Sequence, residues 1–191
     1  MDKSDEELML AYQEGKSEVL DVIFSRYQKK IFNFSLRFLG NRADAEDMTA
    51  DVFLHLMRRK NQYQPQAKFC TWLYTVARNA CLSKIRQRQN IFSLSFKNNS
   101  TNEEQEWDIP DPTTPADELQ KKETALHIKK AVQNLPPSQK EVILLREFHN
   151  LSYDEISKIT GHSLENVKVL IFRARDQLRQ HLATLLKEAQ S

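Results

Sequence analysis

Residues 151–178 read LSYDEISKITGHSLENVKVLIFRARDQL, and the punctuation of that stretch sets the architecture. Ser152 with Glu155 is a capping box, in which hydroxyl and carboxylate each satisfy a backbone N–H of the other residue. It opens a short helix carrying Tyr153, Ile156 and Ile159, after which Gly161 supplies a tight turn. Ser163 then caps a longer helix with Val167, Ile171, Ala174, Leu178, Leu182 and Leu185 on one face. A short helix, a turn of about three residues containing Gly and a longer helix make a helix-turn-helix. At about 100° per residue the apolar stripe leaves Glu165, Asn166, Lys168, Val169, Phe172 and Arg173 on the opposite face. An ordinary helical hairpin is the plainer reading. Against it stand Val169 and Phe172, set among cations where they can touch thymine methyls while Lys168, Arg173 and Arg175 reach phosphates or guanine edges.

Helical periodicity extends outward from this motif in both directions. Upstream, Ile128, Ala131, Val132 and Leu135 form a stripe broken by Pro136 and Pro137, and Ser138 with Glu141 predicts a capped helix carrying Val142, Leu145 and Phe148. In the first half, Leu20, Ile23, Phe24, Tyr27, Ile31, Phe34 and Phe38 step by three and four up to Gly40. Ala45, Met48, Val52 and Leu56 form the next stripe, and Phe69, Trp72, Leu73, Val76, Ala77 and Ala80 a third. Ser4 with Glu7 caps a short opening helix. No segment alternates long enough for a strand, so the fold is all-α.

The formal charge of +2 over 191 residues conceals a segregation. Residues 1–91 carry a net +4, residues 92–117 a net −5 and residues 118–191 a net +3. The middle block holds three of the six prolines, a polar run and one lone aromatic, Trp107, and cannot bury enough apolar surface to fold alone. It reads as a flexible acidic linker between two helical domains, 1–91 and 118–191. From Val52 to Asn102 there are nine Lys and Arg and no Asp or Glu, which implies an anionic partner, nucleic acid above all. Only three Gly are present, with no Gly-rich phosphate loop, and no apolar run approaches the roughly 18 residues of a membrane span. Cys70 and Cys81, behind an acidic N-terminus rather than a secretion signal, suit a reduced cytoplasmic setting and neither a disulfide framework nor zinc. The five histidines lack ligand spacing and no nucleophile motif occurs, so no catalytic residue, metal or cofactor is expected.

Two faces of the first domain carry further information. The helix around Asp44 to Arg58 is apolar beyond one stripe: Phe53 and Met57 point away from Val52 and Leu56, while Asp44, Asp47 and Asp51 line an adjacent side. Such a helix is either deeply buried or offers a partner surface. On the following helix Tyr74 and Arg78 sit one turn apart opposite the inward stripe, followed by Asn79, Lys84, Arg86 and Arg88. A polar loop running from Asn61 through Tyr63 to Lys68 precedes it. Aromatics and cations on a surface without acids are what single-stranded DNA binding needs, stacking plus neutralised phosphates. The alternative is that the aromatics are core and the cations only solubilising, which is the preferred reading for Phe69 and Trp72.

The chain resembles the extracytoplasmic-function sigma factors, the group IV members of the sigma-70 family. The resemblance rests on Asp44-Ala45-Glu46-Asp47 with Val52-Phe53, on the run from Phe69 through Thr71-Trp72-Leu73-Tyr74 to Val76-Ala77-Arg78-Asn79, and on Leu135-Pro136 with Gln139, Glu141 and Val142. Beyond these come Leu151-Ser152-Tyr153 with Glu155-Ile156, Val167-Lys168 and Arg173-Ala174-Arg175. It implies that the helix bearing Asp44, Glu46, Asp47, Asp51, Phe53 and Met57 docks on the RNA polymerase core. It implies that Asn61, Tyr63, Lys68, Tyr74, Arg78, Asn79, Lys84, Arg86 and Arg88 hold the melted non-template strand of a minus-ten element, with a flipped base near the 61–68 loop. Ser163, Glu165, Asn166, Lys168, Val169, Phe172, Arg173 and Arg175 would read a duplex minus-thirty-five element, and the acidic linker would thread toward the active-site cleft. An anti-sigma factor covering the polymerase-binding surfaces is a further implied partner, without membrane insertion of the chain itself. The family often has a polar residue and then Arg where this chain has Val169 and Leu170, which implies an altered promoter preference.

Three other readings compete. A helix-turn-helix regulator binding duplex DNA without polymerase would need a sensor domain that the basic helical first half does not resemble. An enzyme lacks its constellation, and Asp44, Asp47 and Asp51 without further oxygen ligands make a poor cation site. A protein adaptor would leave the acid-free basic stretch unexplained.

Overall fold

A computed structural model describes the backbone of residues 3–94 and 115–188, and the side chains of residues 3–88 and 124–183. Four helices make the first domain: α1 (Asp5–Gln13), α2 (Val19–Leu39), α3 (Arg42–Arg58) and, after a 3-10 turn at Lys60–Gln62, α4 (Phe69–Leu94). The second comprises α5 (Pro115–Gln133), α6 (Pro137–Ile143) running into a π-helical turn at Leu144–Phe148, α7 (Tyr153–Thr160) and α8 (Leu164–Glu188). Every regular element among the described residues is helical, as the periodicity predicts. Most of the acidic linker, with Trp107, lies outside the described residues; its two ends are helical, because α4 runs on to Leu94 and α5 begins at Pro115.

Local chemistry sets the helix boundaries. The Ser4–Glu7 and Ser152–Glu155 boxes both form, each with reciprocal backbone bonds. Gly40 and Gly161 end α2 and α7 in the left-handed region, at φ 75° and 77°. Asn41 caps α3 through the Asp44 N–H, and α4 takes its cap from a distant residue: the Phe69 N–H donates to Glu6 of α1 at 3.0 Å. That carboxylate also lies against the positive end of the α4 dipole. The cap expected from Ser138 is absent. Pro137 occupies the first turn of α6, where its missing N–H costs nothing, and no side chain caps that end.

The core of the first domain gathers Ile23, Tyr27, Ile31 and Phe34 of α2, Ala45, Val52 and Leu56 of α3, and Phe69, Leu73 and Ala77 of α4, all buried. In the second domain Val142, Leu145, Ile156, Val167 and Ile171 do the same. The two cores are continuous, forming one apolar cluster across both halves. The seam is formed where α7 packs on α4 and where α5 and the π turn pack on α2. Phe34 illustrates it: its ring meets Tyr74 of α4 edge-on and His149 after the π turn, at centroid distances of 5.7 and 5.8 Å. Gln133 closes the other end, donating to the Arg37 carbonyl at 2.6 Å.

A pair of glycines tests that seam. A Cβ on Gly161 would meet nothing within 4 Å, whereas one on Gly40 would lie 3.0 Å from the Gln133 side chain. Gly161→Ala should therefore cost only the left-handed strain, about 1 kcal/mol. Gly40→Ala should cost clearly more, because Gln133 must also give way; urea denaturation of both variants measures the difference.

Candidate nucleic-acid interface

The helix-turn-helix is built as its sequence predicts. Ser157 Oγ donates to the His162 carbonyl (2.6 Å) and Ser163 Oγ accepts from the Asn166 N–H (3.2 Å), so the turn and the start of α8 hold each other. Val167, Ile171 and Ala174 are buried, and Leu170 joins them at 8% exposure, which settles its side of the helix as inward. Glu165, Asn166, Lys168, Val169, Phe172 and Arg173 all face solvent, Phe172 at 73%. A phenylalanine that exposed has no role in the fold. Arg175 is exposed too, but two of its N–H groups bind Glu147 at 3.0 and 2.6 Å, which keeps its guanidinium near the edge of that face.

The first-domain face differs from its expectation. Tyr63 is 2% exposed, with its hydroxyl donating to the Ala67 carbonyl and its ring against Phe69 and Trp72, so it builds the 61–68 loop from inside. Tyr74 is 3% exposed rather than outward, with its hydroxyl 2.7 Å from His149 Nδ1. Arg78 points away from the stripe as expected, yet meets a carboxylate: its Nε and Nη2 donate to Glu141 at 2.7 and 3.2 Å. Lys68 pairs with Glu155 at 2.7 Å. Lys84 lies 3.1 Å from Asp44 and 3.8 Å from Asp47, and Arg88 also pairs with Asp44. Asn61, Asn79 and Arg86 remain exposed.

On α3 the apolar residues beyond the inner stripe divide between buried and exposed positions. Phe53 is buried at 6%, while Met57 and Leu54 are about 40% exposed. Phe24, expected inward, is 41% exposed and its ring lies tilted against Phe53, centroids 4.7 Å apart. With Val22 also exposed, the outer side of α2 and α3 presents apolar groups to solvent, of which periodicity had placed only Phe24 in the core. Glu46, Asp47 and Asp51 are exposed, and Asp47 and Asp51 line an open cleft of about 470 Å³ between α3 and α4.

Burial governs the electrostatics of the seam. His149 is pushed down to about 4 by burial, with Arg37 and Lys30 adding repulsion of its cation. Burial also raises the Tyr74 phenol, so both members of that pair stay neutral. Burial works on Glu155 in the opposite sense to its partners, but Lys68 and the Ser152 cap prevail and hold the carboxyl at about 2. Glu141 has 2% of its side chain exposed and is shared between Arg78 and His162, whose Nε2 lies at 3.1 Å. The Glu141 contact was the signal sequence reasoning could not find, since its partner lies 63 residues away.

Comparison with known proteins fits both halves. Residues 23–91 match the model of Sigma-70 region 2, and residues 126–178 that of Sigma-70, region 4. The RNA polymerase sigma-H factor of Pseudomonas aeruginosa is 27% identical over 98% of both chains. The ECF RNA polymerase sigma factor SigW of Bacillus subtilis is 28% identical over 91% of both. Among solved structures, the sigma factor RpoE of Bartonella quintana, co-crystallised with the anti-sigma factor NepR, has a TM-score of 0.70 at 20% identity, covering 85% of this chain and 96% of that one. CnrH in complex with the cytosolic domain of CnrY has a TM-score of 0.69 at 18% identity, over 95% and 99%. The fold and the two matched regions define a sigma factor. The chain belongs to the sigma-70 family, in its extracytoplasmic-function group, as an alternative sigma factor.

Because His149 titrates lower in the folded protein than in the unfolded chain, the folded state refuses a proton that the unfolded one accepts. The contribution is complete above about pH 6.5 and is lost as pH falls toward 4. Between pH 7.5 and 5 the loss should be about 2 kcal/mol. His149→Phe should show a correspondingly flatter dependence of its urea-unfolding free energy; an equal slope in both proteins would count against this role.

Proposed function

We propose that the protein joins the RNA polymerase core in the cytoplasm, carries it to promoters with a particular pair of elements and helps open the duplex between them. It contributes specificity and no catalytic residue of its own. Residues 1–91 form the domain that docks on the core and holds the melted strand, residues 118–191 the domain that reads the upstream duplex, and residues 92–117 the connection passing toward the active-site cleft. The observation that carries this reading is a solvent-facing recognition surface, Lys168, Val169, Phe172 and Arg173, on a capped helix-turn-helix in the same chain as a region 2 match.

Each surface has its chemistry. Asp47 and Asp51 with exposed Met57 offer a partner both charge and apolar area, and with Asp44, Glu46 and Phe53 they make the docking side. Lys68, Arg78, Lys84, Arg86 and Arg88 neutralise phosphates of the melted strand, with Asn61 and Asn79 as hydrogen-bonding groups. On α8 the Val169 and Phe172 side chains suit thymine methyls, Lys168, Arg173 and Arg175 suit phosphates or guanine edges, and Ser163, Glu165 and Asn166 lie at the end that enters a groove first. An anti-sigma factor is the expected restraint; RpoE and CnrH, of like fold, are each held in complex with a partner chain. No helix among the described residues is long and apolar enough to cross a membrane. A regulator acting without polymerase would leave the region 2 match without a purpose.

Core polymerase should co-purify with the tagged protein, and Asp47→Ala combined with Met57→Ala should reduce that retention. Arg173→Ala should weaken promoter binding by the assembled enzyme roughly tenfold. Val169→Ser should change the preferred upstream element in a selection from randomised promoters; an unchanged preference would refute a base contact at that position.

A further inference from the structure

Residues 61–68 have little of their own to hold a shape. Tyr63 is buried and bonds the Ala67 carbonyl, while Asn61, Gln62, Gln64, Gln66 and Lys68 are all exposed. Both ends of this loop are fixed from α1. At the entrance, the Gln13 side-chain amide donates to two backbone carbonyls, that of Lys60 at 2.7 Å and that of Tyr63 at 2.9 Å. Lys60 in turn donates its ammonium to the Tyr12 carbonyl at 3.0 Å, in the last turn of α1, where the helix dipole favours a cation. At the exit, Glu6 accepts the Phe69 N–H that starts α4. Glu6, Met9 and Gln13 are spaced by three and four, so they share one face of α1, and Met9 between the two polar contacts is wholly buried. The helix is itself pinned to α2, where Asp5 receives Arg26 at 2.7 Å and the Tyr27 hydroxyl at 2.5 Å. Helix α1 lies outside the region 2 match, which covers residues 23–91.

Resting on the strand-binding role given above to residues 61–68, we propose that α1 presets this loop for the melted strand, with Gln13 and Glu6 as positioning residues. Both act through the loop rather than on the DNA. Gln13 holds the turn from Lys60 to Tyr63 in one conformation, which sets where Asn61 is displayed. Glu6 fixes the first turn of α4 and with it Lys68, one residue earlier. Two carbonyls three residues apart require two donors on one group, and a primary amide nitrogen carries two N–H bonds. A loop ordered in this way before DNA arrives loses less conformational freedom when it takes the strand or an extruded base.

The test assembles core polymerase with the full chain or its variants on a promoter taken from the randomised selection, with 2-aminopurine in the minus-ten element as a fluorescent report of unstacking. Gln13→Met keeps the length and helix propensity of the side chain and removes both donors. It should slow opening roughly tenfold, the order expected when two hydrogen bonds are lost. Core retention and binding of the upstream duplex should stay at the parent's level. Glu6→Ala should show the same selective defect, whereas Glu6→Gln, which still offers an oxygen to the Phe69 N–H, should open near the parent's rate. Should Glu6→Ala fail to fold, Gln13→Met decides. Asn61→Ala and Lys68→Ala report on the loop itself and should also slow opening. If they do and Gln13→Met does not, the role of α1 is overturned alone. If neither loop variant alters opening, the strand-binding assignment falls and the proposal with it. Core retention that drops in step with opening would make Gln13 a general support of the fold and overturn the proposal as well.

Discussion

Helix α4 is held from two sides, and most of the molecule is arranged around that constraint. One side inserts Phe69, Leu73 and Ala77 into the first domain, where Tyr27 and Tyr63 meet the Phe69 ring edge-on. The other presents Tyr74 and Arg78 to the second domain, where a neutral histidine and a buried carboxylate receive them. Between Phe69 and Leu94 the helix contains no acid, so its own sequence supplies nothing to balance its cations. Asp44 balances Lys84 and Arg88 from α3, and Glu141 balances Arg78 from α6. A sparse charge pattern in one helix thus dictates which neighbours it can accept.

The outer faces of α8 and α4 end in opposite states for related reasons. The inner stripe of α8 is filled by its own domain, which leaves the outer side nothing to pack against and keeps Phe172 in solvent. The outer side of α4 carries a ring and a guanidinium on the side where α7 packs, and His149 and Glu141 sequester them. The π turn contributes by pushing Phe148 and His149 toward α2 and α4. The Arg37 guanidinium lies 4.5 Å from the Phe148 ring centroid, and Arg146 binds the Leu151 carbonyl to close the bulge.

Much of this was legible before any coordinates. Capping boxes, terminal glycines and apolar periodicity place the helices, and the stripe along α8 leaves Val169 and Phe172 on the outer side, where they stand. The same reasoning failed on aromatics. Phe24 reads as core and is half exposed, whereas Tyr63 and Tyr74 read as surface and are buried. An aromatic ring at a given helical angle fits a core, a rim or a base stack equally well, so periodicity alone does not rank those outcomes. Ser138 failed for a different reason: proline at the first turn made a side-chain cap unnecessary.

The sequence by itself determined the helical class, the helix-turn-helix, the family and the list of cations available to an anionic partner. These follow from local rules that act over three or four residues and from motifs read in order. Only the tertiary structure decided which of those cations are engaged, because their partners lie far away in the chain: 63 residues for Arg78 and Glu141, 75 for Tyr74 and His149, 87 for Lys68 and Glu155. Helical spacing states that residues share a face. What covers the face depends on how two domains meet, which is set by the summed shape and charge of both.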